Sequence, residues 1–418
     1  MRFGLIGEHL AHSFSPALHA ALGTPNYELC ELSPADIPAF FAARNFDGVN
    51  VTIPYKETVI PYLDELSPEA RVIGAVNTVV RRGDRLIGYN TDYTGLCALI
   101  RYAGMSFCGK KVLILGSGGT SRTALAAAKD AGVRSVFRVS RTPDGETISY
   151  ADAASEHADA DIIINTTPVG MYPHTGETPT DLSLFSHLSG VIDVIYNPLR
   201  TALVLAAEAR GIPAVGGLRM LVVQAAAASA LFRDTEIREE TTERVYRDLL
   251  SAKENLVLIG MPSAGKTSVG RETAWLLGRR FIDTDVLLEE KCGMTPADYL
   301  RTYGEDAFRD AEARVIAEIS SKTGLVVATG GGAVLRQENV DALRANGRLI
   351  WLDRSPEKLS STNDRPLSSS PEQLRALYDA RLPLYRAAAD CRIDGNGDVS
   401  AVARDTAKRF QHLIEKEC

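Results

Sequence analysis

The chain has 418 residues, 45% hydrophobic and 24% charged, enough for two to four domains that each bury a core. A formal net charge of -7 argues against nucleic acid or an anionic membrane as the main partner, whereas small anionic ligands need only local positive charge. Six scattered cysteines without zinc or C-x-x-C spacing read as reduced thiols of a cytoplasmic protein; no signal peptide or membrane span is expected, since Met220–Phe232 is too short.

From the start, short apolar runs alternate with helical patterns: Phe3–Ile6, Ala17–Leu22, Tyr27–Leu32, Ile37–Ala43 and Val49–Ile53. This alternation predicts an α/β domain with a largely parallel sheet. Ala75–Val80 and Arg85–Gly88 flank Arg-Arg-Gly-Asp as a hairpin, and a helix is expected from about Thr94 to Ala103. A second α/β unit opens with Lys111–Leu115, a buried-strand pattern running into Gly116-Ser-Gly118-Gly119-Thr-Ser-Arg122 and an Ala-rich helix. Further strands are expected at Val136–Ser140, Ile162–Asn165 and Val191–Val194, then closing helices over Leu218–Phe232 and Glu239–Leu250. The charged stretch 233–254 reads as a solvated helix ending in a very short connector near Ser251–Glu254.

Leu256–Ile259 then opens into Gly260-Met-Pro-Ser263-Ala264-Gly265-Lys266-Thr267. A glycine-bracketed turn lets successive backbone N–H groups converge on phosphate oxygens; Lys266 adds a point charge, and the Thr267 hydroxyl can hold Mg²⁺. Such a loop normally follows the first strand of its domain, so a whole protein precedes it here.

In the first half, Gly116-x-Gly118-x-x-Ser121 between strand and helix points to a dinucleotide. At the end of the next strand Arg141, followed by Thr142, stands where an NAD site needs a carboxylate, which favours the 2′-phosphate of NADP. Four polar clusters fall in turns: His12-Ser13-Phe-Ser15, Asn50-Val-Thr52 through Lys56-Glu57, Asn77-Thr78 and Asn90-Thr-Asp92. Singly, the serines and Asp92 serve as helix caps and Asn77 as a turn residue. Together they supply what ketone reduction needs: groups that grip a polar substrate, and a lysine beside a carboxylate for the proton on the reacting oxygen.

The motifs H-S-x-S-P, N-V-T-I-P-Y-K-E, G-A-V-N-T, Y-N-T-D-Y-x-G, G-x-G-G-x-x-R, N-T-T-P-V-G-M and G-x-x-M-L-x-x-Q resemble shikimate dehydrogenase over residues 1 to about 250. The resemblance implies a substrate-binding domain over 1–92, completed by helices of about 225–250, and a Rossmann-like NADP domain over 93–224. It implies NADPH-dependent reduction of 3-dehydroshikimate to shikimate. By motif, Lys56 becomes the acid/base and Asp92 its partner; Ser13 and Ser15 hold the carboxylate; Thr52, Asn77, Tyr196 and Gln224 hold the ring hydroxyls. Asn165, Thr166, Val194 and Gly217 border the cofactor. Gly145 stands where many members place a second basic residue, leaving Arg141 assisted by Arg122.

After the phosphate loop come Asp283-Thr-Asp285, Phe308-Arg309-x-x-Glu312, Thr329-Gly-Gly331-Gly, Arg365-Pro-Leu and Arg381-x-Pro-Leu-Tyr385. One aspartate near the loop supports Mg²⁺ and a second anchors an attacking hydroxyl; two arginines suit a substrate carboxylate. The bland readings are turn caps for the aspartates and an i, i+3 pair for Arg309 with Glu312. The set resembles shikimate kinase over about 254–418, a P-loop α/β domain with a central parallel sheet. That likeness implies that Asp285, Arg309, Gly331 and Arg381 bind shikimate, that Lys266, Thr267 and Asp283 hold the ATP phosphates and Mg²⁺, and that Arg365 reaches across from a polar lid. The expected whole is an α/β bifunctional enzyme of chorismate synthesis with small-molecule partners, a homo-oligomer being left open. Two rivals stay open: a sensor that binds such metabolites without turnover, and an oxidoreductase of quinate using NAD.

Overall fold

The strand patterns of the sequence resolve into three sheets. In a computed structural model, which describes residues 2–10, 13–359 and 370–417, they are divided between two units, 1–246 and 247–418.

The first unit holds two sheets. One has the order Tyr27–Glu31, Phe3–Gly7, Gly48–Val51, Thr78–Arg82, Arg85–Tyr89, Glu65–Leu66. Its first three strands are parallel, and the hairpin Thr78–Arg82/Arg85–Tyr89 joins antiparallel, so Asn50 stands opposite Thr78 and both strand ends point at one edge. Ile6, Val49, Val79 and Leu86 are fully buried in its core. Each such side chain is worth about 1.5–3 kcal/mol of burial, which fixes the register that delivers the polar residues to the strand ends.

The other sheet is parallel throughout, in the order Ala214–Val215, Gly190–Asp193, Ile162–Asn165, Lys111–Leu115, Ser135–Val139, Thr147–Ile148. Counted in chain order this is the 3-2-1-4-5-6 arrangement of dinucleotide-binding domains, whose ligand crevice lies beyond the carboxyl ends of the strands where the order reverses. Leu115 and Asn165 end the two strands at that reversal and pair with each other.

The helix expected from Thr94 begins three residues earlier, at Thr91, and runs to Tyr102. Asn90 caps it, accepting the Tyr93 N–H at 3.0 Å, so Asp92 lies inside the first turn with its carboxylate spared from capping.

The second unit carries one parallel five-stranded sheet in the order Arg280–Asp283, Leu325–Ala328, Asn255–Ile259, Gly347–Asp353, Cys391–Asp394. The phosphate loop follows its central strand. The helix expected to stop near Leu250 continues to Lys253, its last turn held by Gly324, whose N–H donates to Lys253 O at 3.0 Å, and by Arg279, which donates to Ser251 O. The expected connector therefore shrinks to Glu254, itself fully buried. Among the described residues no helix is long and apolar enough to cross a membrane.

Candidate active sites

The first site is assembled where the two sheets of the first unit face each other. Lys56 Nζ donates to Asp92 Oδ2 at 2.6 Å, and both side chains are more than four-fifths buried. Lys56 comes from the turn after Gly48–Val51 and Asp92 from the helix after the hairpin. Asn77 is locked beside them: its Oδ1 accepts the Thr91 N–H at 2.7 Å and its Nδ2 donates to Thr91 Oγ1 at 3.0 Å. Behind it Asn50 donates to Asn77 O at 3.2 Å and to Thr78 Oγ1 at 2.9 Å, and accepts from Tyr27 Oη at 2.7 Å. A substrate edge in this pocket meets side chains already held by buried bonds, which lowers the entropy lost on binding.

Ser13 and Ser15 lie side by side, Ser13 Oγ donating to Ser15 Oγ at 3.0 Å, and the short helix Ser15–Ala21 has no side-chain cap. Their hydroxyls are half-buried, with Tyr196 packed edge-on against the intervening Phe14 at 6.0 Å. Burial pushes the Tyr196 phenol above its ordinary pKa and the neighbouring Asp92 carboxylate adds to the shift. Gln224 is half-buried on the helix Leu218–Arg233 and donates to Leu221 O at 2.9 Å. Thr52 follows its strand directly, its methyl 2.6 Å from where a β-carbon on Gly7 would lie. His12 lies outside the described residues.

The dinucleotide side is a cleft of about 700 Å³ that includes Lys56, Gly116, Gly118, Gly119, Arg141 and Thr142. Gly116 has φ +120°, and a β-carbon there would meet Thr166 Oγ1 at 2.6 Å, so only glycine fits the turn. Around Gly118 a β-carbon would meet nothing within 4 Å, which leaves the open backbone a pyrophosphate requires. A β-carbon on Gly119 would lie 3.9 Å from Lys56 Cδ, so the turn and the lysine share one space. Arg141 is exposed in the cleft with no carboxylate of the kind that grips a ribose diol beside it among the lining residues, Glu57 excepted. This donor set fits a 2′-phosphorylated dinucleotide.

Several residues assigned to this cleft from the sequence sit elsewhere. Asn165 is wholly buried: its Nδ2 donates to Asp193 Oδ1 at 3.1 Å and its Oδ1 accepts from Thr167 Oγ1 at 2.7 Å, so it holds Thr167. Thr166 does line the cleft, together with Thr167, Pro168 and Tyr150, which sequence reasoning passed over. Val194 and Gly217 are not in its lining; they meet each other, a β-carbon on Gly217 falling 2.0 Å from Val194 O. Arg122 does not assist Arg141: it pairs with Glu57 at 3.0 Å.

In the second unit a cavity of about 840 Å³ gathers Lys266, Thr267, Asp283, Asp285, Arg309 and Arg381, with the Gly330–Gly332 backbone along one wall. Gly260, Ser263 and Gly265 all have positive φ, +143°, +65° and +95°, in the turn that leads into the helix Lys266–Leu277, a backbone of the kind that forms anion-binding concavities. Ala264 is buried behind them. Lys266 Nζ donates to the carbonyls of Gly260 and Met261 at 2.8 and 2.9 Å. Thr267 Oγ1 donates to Asp283 Oδ2 at 2.7 Å while Asp283 Oδ1 caps the next helix through the Asp285 N–H at 3.0 Å. The cap reading of Asp283 therefore holds alongside its place at the loop. A hydroxyl and one carboxylate side by side fit Mg²⁺, which takes few protein ligands and completes its shell with phosphate and water.

Arg309 pairs with Glu312 at 2.7 Å as the bland reading foresaw, yet both are buried in the cavity wall rather than on a solvated face. Arg381 donates to Gly331 O at 3.0 Å, and Tyr385 Oη donates to the same carbonyl at 2.6 Å. Beyond its pairing with Arg309, Glu312 has an Oε1 that is buried without a hydrogen-bond partner among the described residues, and a β-carbon on Gly330 would lie 2.6 Å from it and 2.8 Å from Asp285 Oδ1. Two carboxylates and two guanidinium groups thus converge on one glycine wall, a set that can grip a carboxylated polyol. Arg365 and nearly all of the polar lid, 360–369, lie outside the described residues.

The family description shikimate dehydrogenase substrate binding domain matches residues 5–79, and shikimate kinase matches residues 262–412. A shikimate dehydrogenase (NADP(+)) from Moorella thermoacetica is 37% identical over 288 residues, covering 63% of this chain and 96% of that protein. The crystal structure of shikimate dehydrogenase 1 from Peptoclostridium difficile is 38% identical, with a TM-score of 0.55 over 60% of this chain and 98% of that one. The enzyme from Thermus thermophilus, solved with NADP(H) and shikimate, is 33% identical with a TM-score of 0.52, covering 59% of this chain and 99% of that one.

Proposed function

The chain belongs to the shikimate dehydrogenase family through its first unit and carries a shikimate kinase domain in its second, and from that premise we propose two consecutive reactions. The first unit reduces 3-dehydroshikimate to shikimate with NADPH, and the second phosphorylates the hydroxyl so formed with ATP.

The observation that carries this reading is the Lys56–Asp92 pair set against the glycine-rich turn. NADPH supplies hydride when bound. Lys56 Nζ then gives a proton to the ketone oxygen as charge develops there, and Asp92 fixes the direction of that donation. Asn77, Thr52, Tyr196 and Gln224 orient the ring, and Ser13 and Ser15 take its carboxylate.

In the second unit ATP supplies the phosphoryl group. Lys266 and the loop N–H groups bind its phosphates, Thr267 and Asp283 support Mg²⁺, and Arg309 and Arg381 hold the shikimate carboxylate. Asp285 anchors the hydroxyl and accepts its proton. Positioning and charge neutralisation carry most of such a transfer.

The test is a paired assay on the full chain: NADPH oxidation with 3-dehydroshikimate and ADP release with shikimate. Lys56→Ala should lower the reductase kcat by about 10²-fold or more and leave the kinase rate intact, and Lys266→Ala should do the converse. Folded protein that shows neither activity would overturn the reading. The quinate variant is separated by running quinate with NAD in parallel; Arg141 in the cleft supports the phosphorylated cofactor.

A further inference from the structure

The strand Gly347–Asp353 runs parallel to Asn255–Ile259, with Trp351 opposite Ile259, and so ends beside the phosphate loop. The next residue is Arg354. Its backbone is pinned on both sides: Gly395 N–H donates to Asp353 O at 2.6 Å, and Ser355 donates to Asn396 Oδ1 through its N–H at 3.1 Å and its hydroxyl at 2.7 Å.

From this fixed point the half-buried side chain reaches Gly265, where a β-carbon would sit 3.6 Å from Arg354 Nη1. Gly265 is the N-cap of the helix Lys266–Leu277, so the guanidinium lies at the positive end of that helix, on the loop that also carries Lys266. Arg354 Nε is buried and has no hydrogen-bond partner among the described residues. The adjacent carboxylate, Asp353, is taken by Arg392 at 2.7 Å and by Tyr378 at 3.1 Å.

A second arginine of the same unit shows what a packing role looks like. Arg279 donates to the carbonyls of Glu254 and Ser251 and lies over the Phe410 ring at 4.8 Å. Arg354 has no such bonds among the described residues. A cation held against a helix N-terminus, with a buried donor unspent, is repelled by its surroundings until an anion joins it.

We propose that Arg354 binds the nucleotide, its guanidinium joining Lys266 on the polyphosphate of an adenosine di- or triphosphate. The proposal rests on the kinase reading above. It gives the nucleotide a guanidinium from the rigid end of a sheet strand, independent of the lid.

The test measures ADP binding to the full chain by titration calorimetry, with thermal stability alongside. Arg354→Ala should weaken ADP about tenfold and shrink the stabilisation that ADP confers, while Arg354→Lys retains most of the affinity. Shikimate affinity without nucleotide should be unchanged, and the unliganded variant should melt no lower than the parent, because a cation has been removed from a helix N-terminus. ADP affinity within twofold of the parent would overturn the proposal. So would a lower melting temperature of the unliganded variant with a parallel loss of shikimate affinity, which is the mark of packing. A parent chain that binds no ADP would instead remove the kinase reading on which the proposal stands.

Discussion

Asp193 and His19 place two titrations of opposite sense inside the first unit. Burial raises the Asp193 carboxyl to about 6, despite donation from Thr201 Oγ1 at 2.7 Å, Ile195 N at 3.0 Å and Asn165 Nδ2 at 3.1 Å. Folding therefore favours its protonated form, so its contribution to stability is whole below about pH 4 and is lost as pH rises through about 6. His19, buried against Tyr27 and bonded to Ser229 Oγ at 2.8 Å, is lowered by burial to about 4. Its contribution is present above about pH 6.5 and is lost as pH falls toward 4. The two oppose each other in the parent, and only a variant separates them. In Asp193→Asn the amide oxygen can keep the Ile195 and Asn165 bonds while the Thr201 hydroxyl turns to accept. The parent should lose on the order of 1 kcal/mol relative to this variant between pH 5 and pH 7.5, read from urea midpoints. Parallel pH profiles would refute the assignment. Neither group was legible as a titrating site in the sequence. Lys56, Asp92 and the phosphate-loop residues were, because their roles follow from residue type and spacing. Asn165 was misread for the opposite reason: a motif places a residue near a cleft, but only tertiary burial decides which way its amide is spent.

The helices Thr91–Tyr102 and Leu218–Arg233 cross at Gly95, and that crossing holds a candidate substrate residue in place. A β-carbon on Gly95 would lie 2.6 Å from Met220 O and 3.1 Å from Gln224 Cβ. Alanine in a helix interior is ordinarily favoured over glycine by about 0.8–1.0 kcal/mol. Here the obstacle is a backbone carbonyl that cannot move aside, and overpacking costs about 1–3 kcal/mol, so the clash outweighs the propensity. Gly95→Ala should lower the stability of the first unit and, by displacing Gln224, raise KM for 3-dehydroshikimate more than it lowers kcat. A more stable variant with unchanged KM would contradict this. The existence of both helices was legible from their apolar spacing. The start of the first was not, because Asn90 and Asp92 both suit a cap and only the Tyr93 N–H bond decides between them.

Across the whole chain, the succession of a substrate-domain sheet, a dinucleotide-type sheet and a phosphate-loop sheet could be read from strands, glycine turns and their order. The exact join could not, because charge density on the helix Glu239–Lys253 suggested a solvated end where Lys253 and Glu254 are in fact buried. Its last turn is part of the second unit. Gly324 N–H donates to Lys253 O at 3.0 Å, and Arg279 takes the Ser251 and Glu254 carbonyls. Anyone severing the two enzymes by sequence likeness alone would cut at about 254 and discard the Ser251 and Lys253 acceptors. A fragment 247–418 should therefore melt about 5 °C above a fragment 254–418, the equivalent of about 2 kcal/mol for the lost Lys253 bond and the lost bond from the half-buried Arg279 guanidinium to Ser251. Identical melting curves would mean the last helical turn is dispensable. The fused gene product thus has no spare spacer between its catalysts: the seam is already structural material for the downstream one.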